Sequence, residues 1–379
     1  TWIVGALIYS CQDKLISTVR EFSRTIGVTL SISAAIALFY YGIHAGKLVQ
    51  LAQFTPKSQA DLQSGLIQQA NSLGEVLTNY YVYIFILLVA VACSVLIALA
   101  VKENKTTIGW FTVPLLLIIS WSMVYFLNIR VIHADMTFKT ADPFAQNNQW
   151  PVATLLYQHA IDQNPDEDHY YLNLGRSYLE QAKGTDNNLE QDELIRKAEE
   201  TLKEAQRVNP LNTDHTANLG RLYSWWASIA TNQTEYNRRA IISSGYYGLT
   251  TQLSPNNPTL WGEWAMLYLK ILGDSEEALQ RLQHAISLDD QYNYTQGLMG
   301  DYYTYIAHGE TENQAKVIAL KQAERYYIDA VDFSVGRDSA TKYNYLISLG
   351  NTYIELGALN SGDLDFSYLS KAIEAFEQS

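Results

Sequence analysis

The side chains able to do chemistry are few and scattered. The chain carries seven histidines and two cysteines, Cys11 and Cys93, in 379 residues. It contains no HExxH, no GxSxG, no phosphate-cradling glycine loop and no paired cysteines. No catalytic residue, metal ligand set or cofactor is therefore assigned to it. The most suggestive pairs are Asp168–His169 and Asp214–His215, each followed by Asn-Leu-Gly-Arg, at Asn173–Arg176 and Asn218–Arg221. An aspartate beside an imidazole could hold a metal or move a proton. An aspartate that opens a helix also caps it, and capping alone accounts for the residue type. Arg176 and Arg221, with His169 and Trp225 nearby, could instead receive a carboxylate, phosphate or acidic sugar by charge-assisted hydrogen bonds. Neighbouring acids that paired with them would leave only a solvated surface.

The arginines recur because the segment that carries them recurs. From Met136 onward a small residue is followed three positions later by an aromatic. A second small residue then precedes an aromatic or Leu by four, with another small residue three beyond and often Pro after five. The copies read Ala141, Phe144, Ala153, Tyr157, Ala160, Pro165, then Gly175, Tyr178, Ala198, Leu202, Ala205, Pro210, then Gly220, Tyr223, Ser243, Tyr247, Thr250, Pro255. Ala265, Tyr268, Ala278, Leu282, Ala285 follow, with Asp290 in place of Pro. Gly300, Tyr303, Ala323, Tyr327, Ala330 and then Gly350, Tyr353, Ala372, Phe376 complete six copies. Each copy predicts a helix pair in which small residues allow close approach, aromatics fill the angle and Pro ends the second helix. Stacked pairs bury one continuous core, so residues 131–379 are expected to form an all-α solenoid like the tetratricopeptide repeat (TPR), whose basic period is 34 residues.

Here the extra residues fall between the two helices of a pair, near Ala182–Asp192, Ser228–Glu235 and Ile306–Ala315, as longer helices or as loops. Pro143, inside the first helix of the first copy, breaks the pattern there. Gly220 and Gly350 are expected at close helix contacts. If first helices line a groove, the residue after each small one faces it: Arg176, Arg221, Met266, Asp301 and Asn351. The 27 tyrosines are mostly repeat-core packing, although aromatic rings would also suit sugar.

Residues 1–130 read as a membrane domain. Segments 26–43, 80–101 and 108–127 carry no charge and have the length of membrane spans, with Tyr and Trp at their edges. Thr1–Tyr9 reads as the end of a further span. Lys14, Arg20, Arg24, Lys102 and Lys105 mark one side against Lys47 and Lys57 on the other. That bias places residues 129–379 on the periplasmic or extracellular side of a cytoplasmic membrane. Leu62, Leu66, Leu73, Val76 and Leu77 recur at helical spacing, on a helix that lies on the bilayer or extends the next span. Membrane lipid is thus an expected partner.

Net charge is −13 at a pI near 5.0. Residues 1–130 hold 8 Lys/Arg and 5 Asp/Glu, which leaves 18 and 34 for the remainder. A polyanion would be repelled by that second part, so nucleic acid is excluded as a partner.

Several stretches are similar in order and type to a known family: Asn128–Arg130, Ala134–Asp135, Ala160-Ile161-Asp162-Gln163-Asn164-Pro165 and Tyr170–Arg176, with Val208–His215, Leu253–Pro258 and Leu260-Trp261 after them. Over about two thirds of its length the chain resembles the C-terminal membrane and TPR part of bacterial O-antigen ligase/polymerase-like proteins. The resemblance implies a parent that transfers a polyprenyl-pyrophosphate-linked glycan through basic residues of an outer loop. No segment here matches that loop, so no catalytic residue carries over. Two functions follow as expectations. In the first, the chain is a membrane-anchored scaffold that recruits envelope proteins or anionic glycan for such an enzyme. In the second, it is a non-catalytic accessory subunit of a membrane complex.

Overall fold

The structure, a computed structural model, describes residues 59–102, 107–334, 339–360 and 366–378, with single positions at Ser31, Ala34, Ala35, Leu38 and Gly42. The expected span over 26–43 and the segment Thr1–Tyr9 lie outside the described residues, apart from those single positions. Among the described residues there are helices and turns and no strand. The chain divides into two compact units, Thr1–Tyr170 and Tyr171–Ser379.

In the first unit α1 (Gln59–Lys102) runs unbroken for 44 residues. The apolar-patterned segment Leu62–Leu77 and residues 80–101 are therefore parts of one helix. Its 21 residues before Tyr80 reach about 30 Å at 1.5 Å per residue. Helix α2 (Thr107–Val124) continues through Pro114, passes a single π-turn at Tyr125–Ile129 and becomes α3 (Arg130–Gln146) without interruption. Pro143 is likewise accommodated, within the last turn of α3. Helix α4 (Trp150–Gln163) returns antiparallel, with a proline in its first turn. Ala141, Ala153 and Ala160 are fully buried between α3 and α4, and Phe138 lies 5.1 Å from Tyr157 and 5.0 Å from Tyr170, centroid to centroid.

Five more pairs follow: α5 (Asp168–Gly184) with α6 (Asn188–Val208), α7 (Thr213–Ser228) with α8 (Gln233–Leu253), α9 (Pro258–Leu267, prolonged by a π-turn to Leu272) with α10 (Ser275–Leu288), α11 (Asn293–Gly309) with α12 (Asn313–Asp332), and α13 (Ser339–Asn360) with α14 (Phe366–Gln378). Caps are consistent. The side chains of Asn187, Asn212, Asn232, Asn257 and Asp274 each accept an N–H from the first turn they precede. At α7 the cap is Asn212, which corrects the expectation that Asp214 fills that role. Asp214 lies within the first turn, where its charge suits the positive helix end. Gly273, at φ 70°, takes the left-handed conformation that ends the turn after α9.

The extra residues of the long copies went into helix rather than loop. The side chain that meets the small residue lies seven positions after the second helix begins in the short copies (Trp150 to Tyr157, Ser275 to Leu282). It lies fourteen positions in for the long ones (Asn188 to Leu202, Gln233 to Tyr247, Asn313 to Tyr327). Seven residues are close to two turns at 3.6 per turn, so the buried stripe stays in phase.

Candidate functional site

In the second unit the contact rule of the repeat is visible at every glycine of the pattern. A Cβ on Gly175 would lie 2.7 Å from Leu202, on Gly220 3.2 Å from Tyr247, on Gly300 2.5 Å from Tyr327 and on Gly350 2.5 Å from Phe376. The small residue is there because the second helix lays a ring or a Leu flat against the first helix. Both glycines singled out from sequence, Gly220 and Gly350, obey the rule.

The first helices also touch one another. Leu172 and Leu179 of α5 share a buried cluster with Leu219 and Leu222 of α7. Arg221 of α7 reaches Glu263 of α9, Gly262 of α9 faces Tyr294 and Leu298 of α11, and Gly297 of α11 meets the ring of Tyr345 of α13. Helices α5, α7, α9, α11 and α13 thus form one row.

Along that row the residue just after the small residue sits opposite the residue two before the small residue of the next copy. Arg221 donates from Nε and Nη2 to the two carboxylate oxygens of Glu263, at 2.8 and 2.6 Å. The Tyr247 hydroxyl, lying past Gly220, donates to the same carboxylate at 3.3 Å. Met266 packs on the buried cluster that contains Leu298. Asp301 accepts from the Tyr327 hydroxyl at 2.8 Å, and that hydroxyl also bonds Ser348. The first rung differs. Arg176 is exposed, its counterpart two before Gly220 is Asn218, and the ring position behind it is Leu202, which has no hydroxyl.

Electrostatics follow these pairings. Burial works against the charge of Arg221, but the bonds and field of Glu263 outweigh it and raise its pKa. Burial, then Glu263, pushes the phenols of Tyr247 and Tyr294 well above the ordinary value. Burial and Asp301 do the same for Tyr327, and Tyr345 is pushed up to about 12 by burial, with Tyr292 and Asp301 adding to it. These tyrosines therefore remain neutral hydrogen-bond donors.

The residues singled out from sequence fall into distinct settings. Arg221, Met266 and Asp301 stand in the row beside their rung partners, and Arg176 and Asn351 are exposed on it. Trp225 is half-buried against the Leu and Tyr cluster of α5, α6 and α7. His169 lies in the first unit with its ring 5.2 Å from Phe138. Among the described residues no three His, Cys, Asp or Glu side chains converge as a metal site. Glu263, Asn218 and Ser348 were missed. Their signal is the place two before each small residue, read across copies about 42 to 47 positions apart rather than within one.

Taken together, these contacts define an all-α protein built from tetratricopeptide-like helix pairs. No family profile and no curated protein matches the chain. Among solved structures it is similar to TTC0263, a thermophilic TPR protein of Thermus thermophilus, at 16% identity over 57% of this chain and 98% of that one, with a TM-score of 0.45. A structure of Pseudomonas aeruginosa pilF gives 13% identity over 60% and 96% and a TM-score of 0.39. YrrB, described as a TPR protein with an unusual peptide-binding site, gives 16% over 56% and 90% with a TM-score of 0.33. The repeat assignment rests on the chain's own contacts.

Proposed function

We propose that the chain is a membrane-anchored, extracytoplasmic TPR-like scaffold that binds partner proteins or anionic glycan along its first-helix row, as the outer part of an O-antigen ligase-like glycan-transfer protein. The observation that carries the anchoring is a continuous helix. Pro114–Gln146 is long and apolar enough to cross a membrane. Leu115, Leu116, Ile118, Ile119, Met123, Phe126 and Leu127 along it are all exposed, as are Ile84, Ile86 and Leu88 of α1. Apolar side chains massed this way call for lipid or a protein partner. The same helix then becomes the first helix of the first pair, so an anchor would lead into the scaffold with no linker between. Arg130, one of the residues on which the likeness to the ligase-like family rests, also helps to hold the first helix pair together. Its Nη2 donates to Asn164 and Asp166, both at 3.1 Å, which ties the start of α3 to the end of α4.

Topology is tested in intact cells with Ser287→Cys, an exposed position on α10, after replacement of Cys11 and Cys93. A membrane-impermeant maleimide should label it without permeabilisation. Labelling that requires a breached cytoplasmic membrane overturns the orientation.

A further inference from the structure

The rungs of the first-helix row are ordered by charge. Arg176 on α5 is exposed, is not hydrogen-bonded, and has no carboxylate within 4 Å among the described residues. Arg221 and Glu263 cancel one another in a two-bond pair. Met266 and Leu298 are apolar. Asp301 accepts from the hydroxyl of Tyr327, a neutral phenol, and no cation pairs with it among the described residues. The order from α5 to α11 is therefore positive, neutral, apolar, negative. Charges a turn or more off the row, namely Glu180, which is tied to Lys183, with Asp214 and Lys270, do not repeat this order.

We infer that this row is a polarised docking track for one extended segment of a partner protein, with an acidic side chain of that segment at Arg176 and a basic one at Asp301. The inference rests on the scaffold reading above and adds a direction and a spacing to it. Three steps between packed helices at about 8–10 Å each, divided by about 3.3 Å per residue of extended chain, separate the two charges by about seven to nine residues. The apolar rung between them favours an aliphatic or aromatic residue midway. A segment bound backwards would place like charges together at both ends, so the discrimination comes from repulsion as much as attraction. Glycan carrying only acidic groups would satisfy Arg176 but meet Asp301 unfavourably, which is why a peptide of mixed charge is the better occupant.

The experiment uses the full chain in detergent micelles and a phage-displayed random dodecapeptide library. Enriched peptides should carry Asp or Glu and Lys or Arg seven to nine positions apart, in one order only. A labelled synthetic peptide of that kind should bind about tenfold more tightly than its reversed sequence. Exchanging the charges with Arg176→Glu and Asp301→Lys should invert the preference. Arg176→Gln alone, on an exposed side chain that does not threaten folding, should weaken the forward peptide about fivefold in low salt and less in high salt. Enriched peptides without a charge order, or equal binding of both sequences, overturn the track while the scaffold reading stands. A library that yields no binder overturns both.

Discussion

The two units hold their helices together by different chemistry. Where α1 meets the first helix pair, several contacts are polar, in a region where α1 also buries Leu66 and Ala70. The Thr78 hydroxyl lies 3.0 Å from the His133 ring, and Asn71 Oδ1 lies 3.0 Å from the ring of His159 and 3.3 Å from Gln163, which in turn accepts from Thr137. Gly74 makes room for His133, whose ring a Cβ would meet at 2.8 Å. In the second unit the corresponding role falls to glycine against Leu, Tyr or Phe. Apolar packing is non-directional. Directional hydrogen bonds fix how far a long helix is turned about its axis, which packing alone would leave loose. Bonds thus orient α1 on the first helix pair, while close fit spaces the two helices within each pair of the second unit.

The sharpest way to break that contrast is to spoil the fit. Gly300→Leu drives a side chain into the ring of Tyr327, itself 3% exposed, and should destabilise by about 3 kcal/mol through overpacking. Gly245, in α8, faces open space. Gly245→Ala should act in the opposite direction, stabilising by about 0.5–1 kcal/mol through helix propensity. Urea unfolding of the two variants in detergent checks both signs, and equal effects would remove the small-against-ring rule.

How much of this was legible follows from repetition. The helix pairs and the glycine contacts could be read because six copies state the same rule, and Gly220 and Gly350 were found that way. Polar contacts such as Thr78 with His133 occur once, 55 positions apart, and no periodicity announces them. The row of candidate residues was legible position by position, but its pairing was not. Arg176 and Arg221 are identical by pattern, yet one is exposed and the other is neutralised, because the deciding residue, Asn218 or Glu263, stands 42 positions further on. Copies of unequal length hide that offset.

The second largest effect concerns that pair. Glu263→Ala leaves Arg221 and the Tyr247 hydroxyl without their acceptor and should cost about 2 kcal/mol, moderated because Arg221 is 40% exposed. In a double-mutant cycle with Arg221→Ala, the coupling energy should be about 1 kcal/mol or more. Additive losses would mean that solvent already screens the pair.

A smaller change probes the polar seam. Thr78→Val keeps the shape of the side chain but removes its bonds to His133 and to the Gly74 carbonyl, at an expected cost of about 1 kcal/mol. Hydrogen exchange followed by mass spectrometry should show faster exchange in residues 130–146 and unchanged protection in α7 to α12. Loosening spread through both units would contradict the division of labour between bond and fit.

The smallest effect is a pH dependence at a second part-buried carboxylate of the second unit. Glu199 of α6 is 17% exposed and accepts from Lys203 and from the Tyr223 hydroxyl, both at 2.5 Å. Burial acts to raise its pKa, but the bonds from Lys203 and Tyr223 outweigh burial and hold it below the ordinary carboxylate value. A carboxylate so depressed binds its proton less readily folded than unfolded. Its stabilisation is therefore complete above the unfolded value near 4.3 and disappears as pH falls through the folded one. Lys203 is half-exposed, so the contribution should stay below about 1 kcal/mol. Glu199→Gln should lose less stability than the parent between about pH 6 and 3 in thermal melts, while the two converge at the acid end. Parallel curves across that window would show that the carboxylate is as free to protonate in the fold as in the open chain.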